Sequence, residues 1–356
     1  MQHDDPALQA LVDQVREAAS RDAPLRIAGG NSKSFYGNPV EGALLDTRPL
    51  AGISSYEPSE LVVTVRAGTP LAEVEAVLAE RGQCLAFEPP RFGPGGTIGG
   101  MVAAGLSGPA RATAGGVRDH VLGASLLNGR AEVLSFGGQV MKNVAGYDVS
   151  RLLAGSLGTL GVILEVSLKV LPRPAATATL CFAMDQAEAL ACVNRWAGEP
   201  LPLSASAWFN GRLWLRLAGA QAAVRSAIAT LGGERLDDRE AEAFWTSLRD
   251  QQHPYFTGLP MWRLSVAATT PPLALPGETL IEWGGAQRWL VSTEPAQRIR
   301  DAARAAGGHA TLFRGSVPGA LAFDAVSPPL ARIHRQLMTS FDPQHLFNRG
   351  RLYPSD

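Results

Sequence analysis

Residues 155–174 read GSLGTLGVILEVSLKVLPRP, three glycines at a spacing of three with an apolar run directly after them. Glycines so placed imply turns and close backbone approach that side chains would forbid. The apolar run decides the fold. Glu165, Ser167 and Lys169 alternate with Val166, Leu168 and Val170, a period of two that predicts a strand rather than a helix. A Rossmann dinucleotide site needs strand, G-x-G-x-x-G, helix and an acidic residue about 20 positions later. Here the spacing is G-x-x-G-x-x-G, a strand takes the place of the helix, and Cys181 stands where the acid belongs. A Walker loop fails as well, because Ser32 precedes Lys33 where glycine is required and the spacing from Gly29 is too short.

Glycine-rich turns recur at 29–33, 93–100, 105–108, 115–116 and 155–161. A single phosphate does not need five of them. A long, bent ligand lying across a domain does, since backbone N–H groups can wrap a pyrophosphate while other turns pack against rings. Ordinary turns in a glycine-rich fold are the alternative for any one loop. The polar residues Asn31, Ser32, Lys33, Thr97 and Asp119 among them favour a ligand for the set.

Other parts of the first half alternate strand-like and helix-like segments. Ala23–Ala28 is a short apolar piece running into GGNSK, and Leu61–Ala67 is rich in β-branched residues. Thr69 as N-cap, Pro70 in the first turn, the stripe Leu71, Val74, Val77 and Leu78, and Gly82 predict a helix. Val121–Leu127 and Ala131–Phe136 flank Asn128-Gly129, a strong hairpin signal. LPRP at 171–174 closes the half. In the second half a shift of 75 residues places Trp208 on Trp283, Trp214 on Trp289, Arg225 on Arg300 and Gly232-Gly233 on Gly307-Gly308. This predicts a duplicated antiparallel α+β domain over Ala175–Pro318, with copies at about 204–236 and 279–311, whose tryptophans are core anchors. The chain ends in an apolar helix around Leu330–Leu337 and the tail SFDPQHLFNRGRLYPSD.

At 356 residues two domains are expected. The net charge of −1 without a long basic run argues against a nucleic-acid groove. The N-terminus is polar and acidic, unlike a signal peptide, and no apolar run approaches the ~20 residues of a membrane span. Cys84, Cys181 and Cys192 are scattered, too few for an iron–sulfur cluster or a four-thiolate zinc site. A cytoplasmic location is the expectation.

With RIAGGNSK (26–33), YEPSELVVTVRAGTPLAEVEAVLAERGQ (56–83), GGTIGGMVAAGLSG (95–108), GSLGTLGVI (155–163) and FDPQHLFNRGRLYP in order, the chain resembles the flavoproteins of the vanillyl-alcohol oxidase type. Their FAD-binding domain also occurs in p-cresol methylhydroxylase. Within that family, GQVMKNVAGYDVSRLLAGSLGTLGV and the tail are most similar to FAD-binding subunits of bacterial glycolate oxidase complexes. Such subunits accompany a larger FAD subunit and an iron–sulfur subunit. The resemblance implies an α+β fold: a two-part FAD-binding domain at 1–174, then a duplicated antiparallel α+β cap domain at 175–356.

It also implies roles. Gly29, Gly30, Asn31, Ser32 and Lys33 would form the first pyrophosphate loop, and Thr97, Gly99 and Gly100 a second phosphate contact. Ser107 and Gly108 would lie near the flavin, with Gly116, Arg118 and Asp119 flanking its ribityl or ring region. Gly161, Val162 and Ile163 would offer backbone to the adenine end, while Asn348 and Arg351 would close over the flavin from the other domain. Relatives with covalent FAD often carry histidine in the first loop; Asn31 stands there, so non-covalent FAD is expected. Arg349 departs from the family's proline.

Oxidation of a 2-hydroxy acid calls for a base and for cations facing the carboxylate. Related lactate dehydrogenases use a histidine-rich metal motif, but His3, His120, His253, His309, His334 and His345 lie more than ten residues apart, so no metal is expected. His120 is expected to be structural, His334 to be a surface or packing residue, and Lys142, Asn143, Tyr147 and Asp148 to fix a loop or reach the flavin. No catalytic residue stands out. Two readings remain: an FAD subunit of a 2-hydroxy-acid dehydrogenase, most simply glycolate to glyoxylate, or an electron-relay or assembly subunit with the chemistry in a larger paralogue. An enolpyruvyl reductase sharing the FAD domain is disfavoured by the duplicated unit.

Overall fold

The computed structural model describes residues 5–138 and 149–354; the sequence candidates Lys142, Asn143, Tyr147 and Asp148 lie outside them. The first part runs α1 (Pro6–Arg21), β1 (Leu25–Ala28), β2 (Ala43–Asp46), β3 (Ile53–Glu57), β4 (Val62–Arg66), α2 (Leu71–Glu80), β5 (Gln83–Cys84) and α3 (Ile98–Ala104). Two four-residue helices, α4 (Arg111–Ala114) and α5 (Val117–His120), precede β6 (Val121–Leu127), β7 (Val133–Gly137), β8 (Val162–Lys169) and β9 (Leu171–Pro172). The second part comprises β10 (Ala176–Ala183), α6 (Gln186–Ala197), β11 (Leu203–Phe209), β12 (Arg212–Gly219), α7 (Gln221–Leu231), β13 (Glu234–Arg235) and α8 (Asp238–Arg249). It continues through β14 (Met261–Ser265), β15 (Glu278–Glu282), β16 (Gln287–Val291), α9 (Ala296–Ala305) and β17 (His309–Arg314), and α10 (Pro328–Phe341) precedes the tail.

β8 is the strand predicted from the alternation after Gly161. It is the middle strand of a five-stranded antiparallel sheet, β3-β4-β8-β6-β7. Val166 and Leu168 enter the core shared with α2 and α3, whereas Val162 and Leu164 enter the core under α1, β1 and β2. Ile163 also faces the α2/α3 side, three residues from Val166. The pairing with β6 skips Leu164, and this bulge reverses the phase of the alternation. One apolar strand thereby serves both layers.

The predicted helix after Thr69 forms, but Thr69 is not its cap. The residue at the cap position is Pro70, which makes no side-chain bond. The Thr69 hydroxyl turns back to the preceding turn, donating to the Arg66 carbonyl at 2.7 Å and accepting from the Gly52 N–H at 2.9 Å. Residues 98–100, read as the end of a glycine-rich turn, open the helix α3. Thr97 caps them, accepting from the Gly100 N–H, and Gly99 lets α3 approach β4: a Cβ there would lie 2.7 Å from that of Ala67. The tail does not join the second part. Phe347 bridges to Leu25 beside β1, and Leu346 and Phe347 complete the α1 core.

The second part is an eight-stranded sheet in the order β13-β10-β12-β11-β15-β16-β14-β17. Helices α6, α7 and α9 cover one face through two separate cores. Ala205, Ala207, Leu280, Trp289 and Phe313 on the other face meet Tyr36, Leu106 and Leu157 of the first part. Polar contacts fix this meeting. Glu88, held at φ 50°, accepts the Ala110 N–H at 2.9 Å and both ends of the Arg216 guanidinium at 2.8 and 3.0 Å. Asp250, already paired with Arg249, accepts the Arg91 N–H, and Trp283 donates its indole N–H to the Gly108 carbonyl.

The bidentate pair is half-withdrawn from water, so losing one partner strands the other. Glu88→Ala is expected to destabilise the protein by about 2 kcal/mol, read as a lower urea midpoint in tryptophan fluorescence. An unchanged midpoint would show that the Glu88–Arg216 contact carries no stability.

Candidate functional site

The main cleft opens where three chain segments meet without side chains between them. The loop after β1 presses on the loop before α3 backbone to backbone: a Cβ on Gly30 would lie 1.2 Å from the Gly95 oxygen, and one on Gly29 2.3 Å from the Thr97 hydroxyl oxygen. The third segment is 155–161. Its glycines all hold positive φ, at 85°, 75° and 143°, which accounts for their spacing. Gly158 is further restricted, since a Cβ would approach the Asn348 amide to 2.7 Å.

Asn348 joins these walls. It is buried in the left-handed region; its amide nitrogen donates to the Leu157 carbonyl at 2.7 Å and its side-chain oxygen accepts the Ile27 N–H at 2.9 Å. Arg351 reaches over the same loop to the carbonyls of Asn38 and Ser34, both at 2.9 Å. Burial, and secondarily the charge of Arg26, push its guanidinium below the ordinary value. Lys33, with the Ser32 hydroxyl 3.4 Å from its ammonium, is lowered by burial to about 8 against the pull of Asp250.

The cleft is lined by Gly29, Gly30, Asn31, Ser32, Lys33, Thr97, Gly99, Gly100, Gly161, Ile163, Asn348 and Arg351 among others. Arg26, Lys33 and Arg351 are cationic, and no carboxylate lines it among the described residues. No protein acceptor takes the N–H groups of residues 29–33 among the described residues. A cradle of unpartnered amides with three cations suits a pyrophosphate. The residues present therefore fit FAD.

Other expected residues fall elsewhere. Ser107 and Gly108 line a second, water-sized cavity between residues 106–108 and the inner face of the eight-stranded sheet. Gly116, Arg118 and Asp119 line neither cavity. Gly116 and Asp119 build the turn before β6, with the Gly116 N–H donating to the Asp119 carboxylate at 2.8 Å. Val162 turns its side chain into the α1 core. Asn348 and Arg351 line the same cleft as Gly29–Lys33, packed on β1, so they do not reach it from the second domain. The reason is the bridge from Phe347 to Leu25.

His120 is buried with its ring nitrogens 3.2 and 2.9 Å from the carbonyls of Lys169 and Ala114, and its ring packs on Phe87. It holds structure. Among the described residues no histidine, cysteine and carboxylate group assembles for a metal. The second cavity also contains residues that sequence patterns did not single out: Arg263, Gln287 and Glu282. Glu282 is buried, and its Oε2 accepts from the Trp289 indole at 2.6 Å and from Gln287 at 3.1 Å. Burial pushes it up to about 7 against these bonds.

The comparisons with known proteins agree with this geometry. Residues 7–137 match the FAD binding domain family. The chain is 49% identical to the glycolate oxidase subunit GlcE of Escherichia coli K12 over 97% of both chains. It is 31% identical to the glycolate oxidase subunit GlcD of Bacillus subtilis 168, over 43% of this chain and 33% of that one. Among solved structures, an alkyldihydroxyacetonephosphate synthase superposes with a TM-score of 0.65 at 15% identity, covering 98% of this chain and 75% of its own, and so shares the fold.

The folded protein keeps a proton on Glu282 up to about pH 7, whereas the unfolded chain releases it near the ordinary 4.5. Between those values the folded state binds more protons, so this group's contribution to stability falls as pH rises through the window. Glu282→Gln removes that dependence. The Tm of Glu282→Gln minus that of the unsubstituted protein is expected to grow between about pH 5 and pH 8. A difference that stays constant would place the carboxyl in a better-solvated site.

Proposed function

The chain belongs to the family of the glycolate oxidase subunit GlcE, and from that premise we propose that it is the FAD-binding subunit of a flavin-dependent 2-hydroxy-acid dehydrogenase acting on glycolate. The observation that carries the reading is end-to-end identity of 49% combined with a cationic cleft free of carboxylates among the described residues. FAD supplies the hydride acceptor when bound. Residues 29–33 receive the pyrophosphate, with Lys33 and Arg351 opposing its charge. Thr97 and Gly100 edge the same site, and Gly161–Ile163 border the adenine. Ser107 and Gly108 face the ring end, with the turn of Gly116, Arg118 and Asp119 supporting them.

The FAD is non-covalent, since Asn31 offers no nucleophile for attachment. Precipitating the holoprotein with acid is expected to leave the flavin in the supernatant; flavin retained on the chain would disprove this. The partners are a larger FAD subunit and an iron–sulfur subunit of one complex. No helix among the described residues is long and apolar enough to cross a membrane. The FAD-binding domain spans 1–174 with the tail packed on it, and the cap runs on from 175. The cap is a duplication: its strand order is the same outward from the centre in both directions. Ala207 pairs across that centre with Glu282, its counterpart 75 residues on.

The relay reading is separated from this one by anaerobic mixing of the FAD-loaded chain with glycolate. Bleaching of the flavin band is expected. Bleaching only after partner subunits are added would assign the chemistry to the larger subunit.

A further inference from the structure

The segment that builds the phosphate cradle continues directly into the cap. Past Lys33 the chain closes two overlapping turns, the Ser34 N–H donating to the Asn31 carbonyl at 3.2 Å and the Tyr36 N–H to the Lys33 carbonyl at 3.0 Å. These turns deliver Phe35 and Tyr36 to the inner face of the eight-stranded sheet. Tyr36 is buried, its ring 5.1 Å from Phe313 of β17 and 5.5 Å from Phe323. Its hydroxyl accepts from the Arg263 guanidinium of β14 at 2.9 Å. Phe35 meets Phe313 at 5.6 Å and lies 4.4 Å from the Arg314 guanidinium. Two residues further on, the buried Asn38 side chain accepts the Ala322 N–H at 2.9 Å. Lys33 itself sits over the Phe92 ring, which packs edge-on against Phe35.

We propose that FAD binding and the seating of the cap are coupled through residues 31–38, with Tyr36 as the positioning residue. The cap's grip on Tyr36 sets the cradle, and a pyrophosphate in the cradle tightens that grip. The proposal rests on the reading of the cleft as an FAD site. The amides of residues 29–33 have no protein acceptor among the described residues, so the loop that bears them takes its position from its two ends. Upstream it is fixed at β1 by Asn348. Downstream Arg351 holds the Ser34 and Asn38 carbonyls, and between those two points the Tyr36 ring and hydroxyl are held by the cap. A close-packed aromatic cluster is either seated or not, so it passes on a displacement of the cradle instead of absorbing it. A ligand that binds one arrangement of the loop shifts the population toward it, and the coupling is equal in both directions.

The test uses the full chain and two ligands: FAD, and ADP, which carries adenosine and pyrophosphate but no ring system to touch the cap. FAD affinity is read from flavin fluorescence, and hydrogen–deuterium exchange follows β14 and β17. In the flavin-free, unsubstituted chain ADP is expected to slow exchange in both strands, and in Tyr36→Leu to leave it unchanged. Tyr36→Phe keeps the ring and loses the bond from Arg263; it and Arg263→Gln are expected to bind FAD severalfold more weakly. Tyr36→Leu is expected to bind about tenfold more weakly or worse. Should Tyr36→Leu fail to fold, the other two variants carry the comparison. Val224→Ala, buried under α7 on the far side of the cap sheet, is the control: it is expected to lower Tm and leave FAD affinity unchanged. Full FAD affinity in Tyr36→Phe and Arg263→Gln, exchange in β14 and β17 that ADP does not slow, or equal weakening by Val224→Ala overturns the coupling and leaves the flavin reading standing. An unsubstituted chain that binds neither FAD nor ADP overturns that reading.

Discussion

Three strands of the chain, 321 residues apart at the extremes, meet on the side chain of Asn348. Its carboxamide accepts from Ile27 and donates to Leu157, and its own N–H donates to the Leu25 carbonyl at 2.9 Å. The cleft depends on this arrangement. The N–H groups of residues 29–33 can stay without an acceptor only if something else fixes where β1 ends, and β1 has a single parallel partner, β2. The tail supplies the second neighbour through Phe347 and locks the glycine turn at 157–158 against the same point. The unpartnered amides of residues 29–33 are therefore held in place from outside the loop, leaving them for a ligand.

The second cavity depends on a different contact. It has one wall from each domain, so its shape is set by how the cap sits. Glu88 receives an N–H from the short helix region at 110 and a guanidinium from β12, and so fixes the distance between the 106–108 segment and the sheet. Trp283 repeats the tie a few residues away by donating to Gly108. Buried charge pairs contribute little net stability on average. Their geometric demand is what matters here, because a bidentate contact permits few relative orientations.

Much of this was legible in the sequence. The alternation after Gly161 identified β8, and the glycine spacing identified the turn, because each reflects a local backbone requirement. Residues 29–33 were legible for the same reason. The placement of the tail was not, since nothing local says that Phe347 will lie beside Leu25. Thr69 misled because a hydroxyl can bond backward to its own turn as readily as forward to a helix. Glu282 and Arg263 gave no signal. One sits at the end of a strand and the other within one, on the face turned to the first domain, and the pattern of polar residues in half-buried strands does not distinguish a solvent face from an inner cavity. The 75-residue shift held one unused clue: it aligns Ala207 with Glu282, a small apolar residue against an acid at the centre of one sheet.

At the centre of the sheet Ala207 on β11 faces Glu282 on β15. A second acid in place of Ala207 would repel Glu282 across a buried contact, so the seam carries a single carboxyl. Its hydrogen bonds come from Trp289 and Gln287 on β16, whereas Arg216 on β12 makes the contact with Glu88. The two halves then divide the work: β12 anchors the cap through Glu88, and β14 to β16 present Arg263, Glu282 and Gln287 to the cavity. The main cleft is separate from both, cationic throughout among the described residues and built entirely from the first domain and the tail. The cations of the cleft and the buried carboxyl of Glu282 are thus kept in separate places, which lets the second cavity hold a carboxyl while none lines the cleft among the described residues.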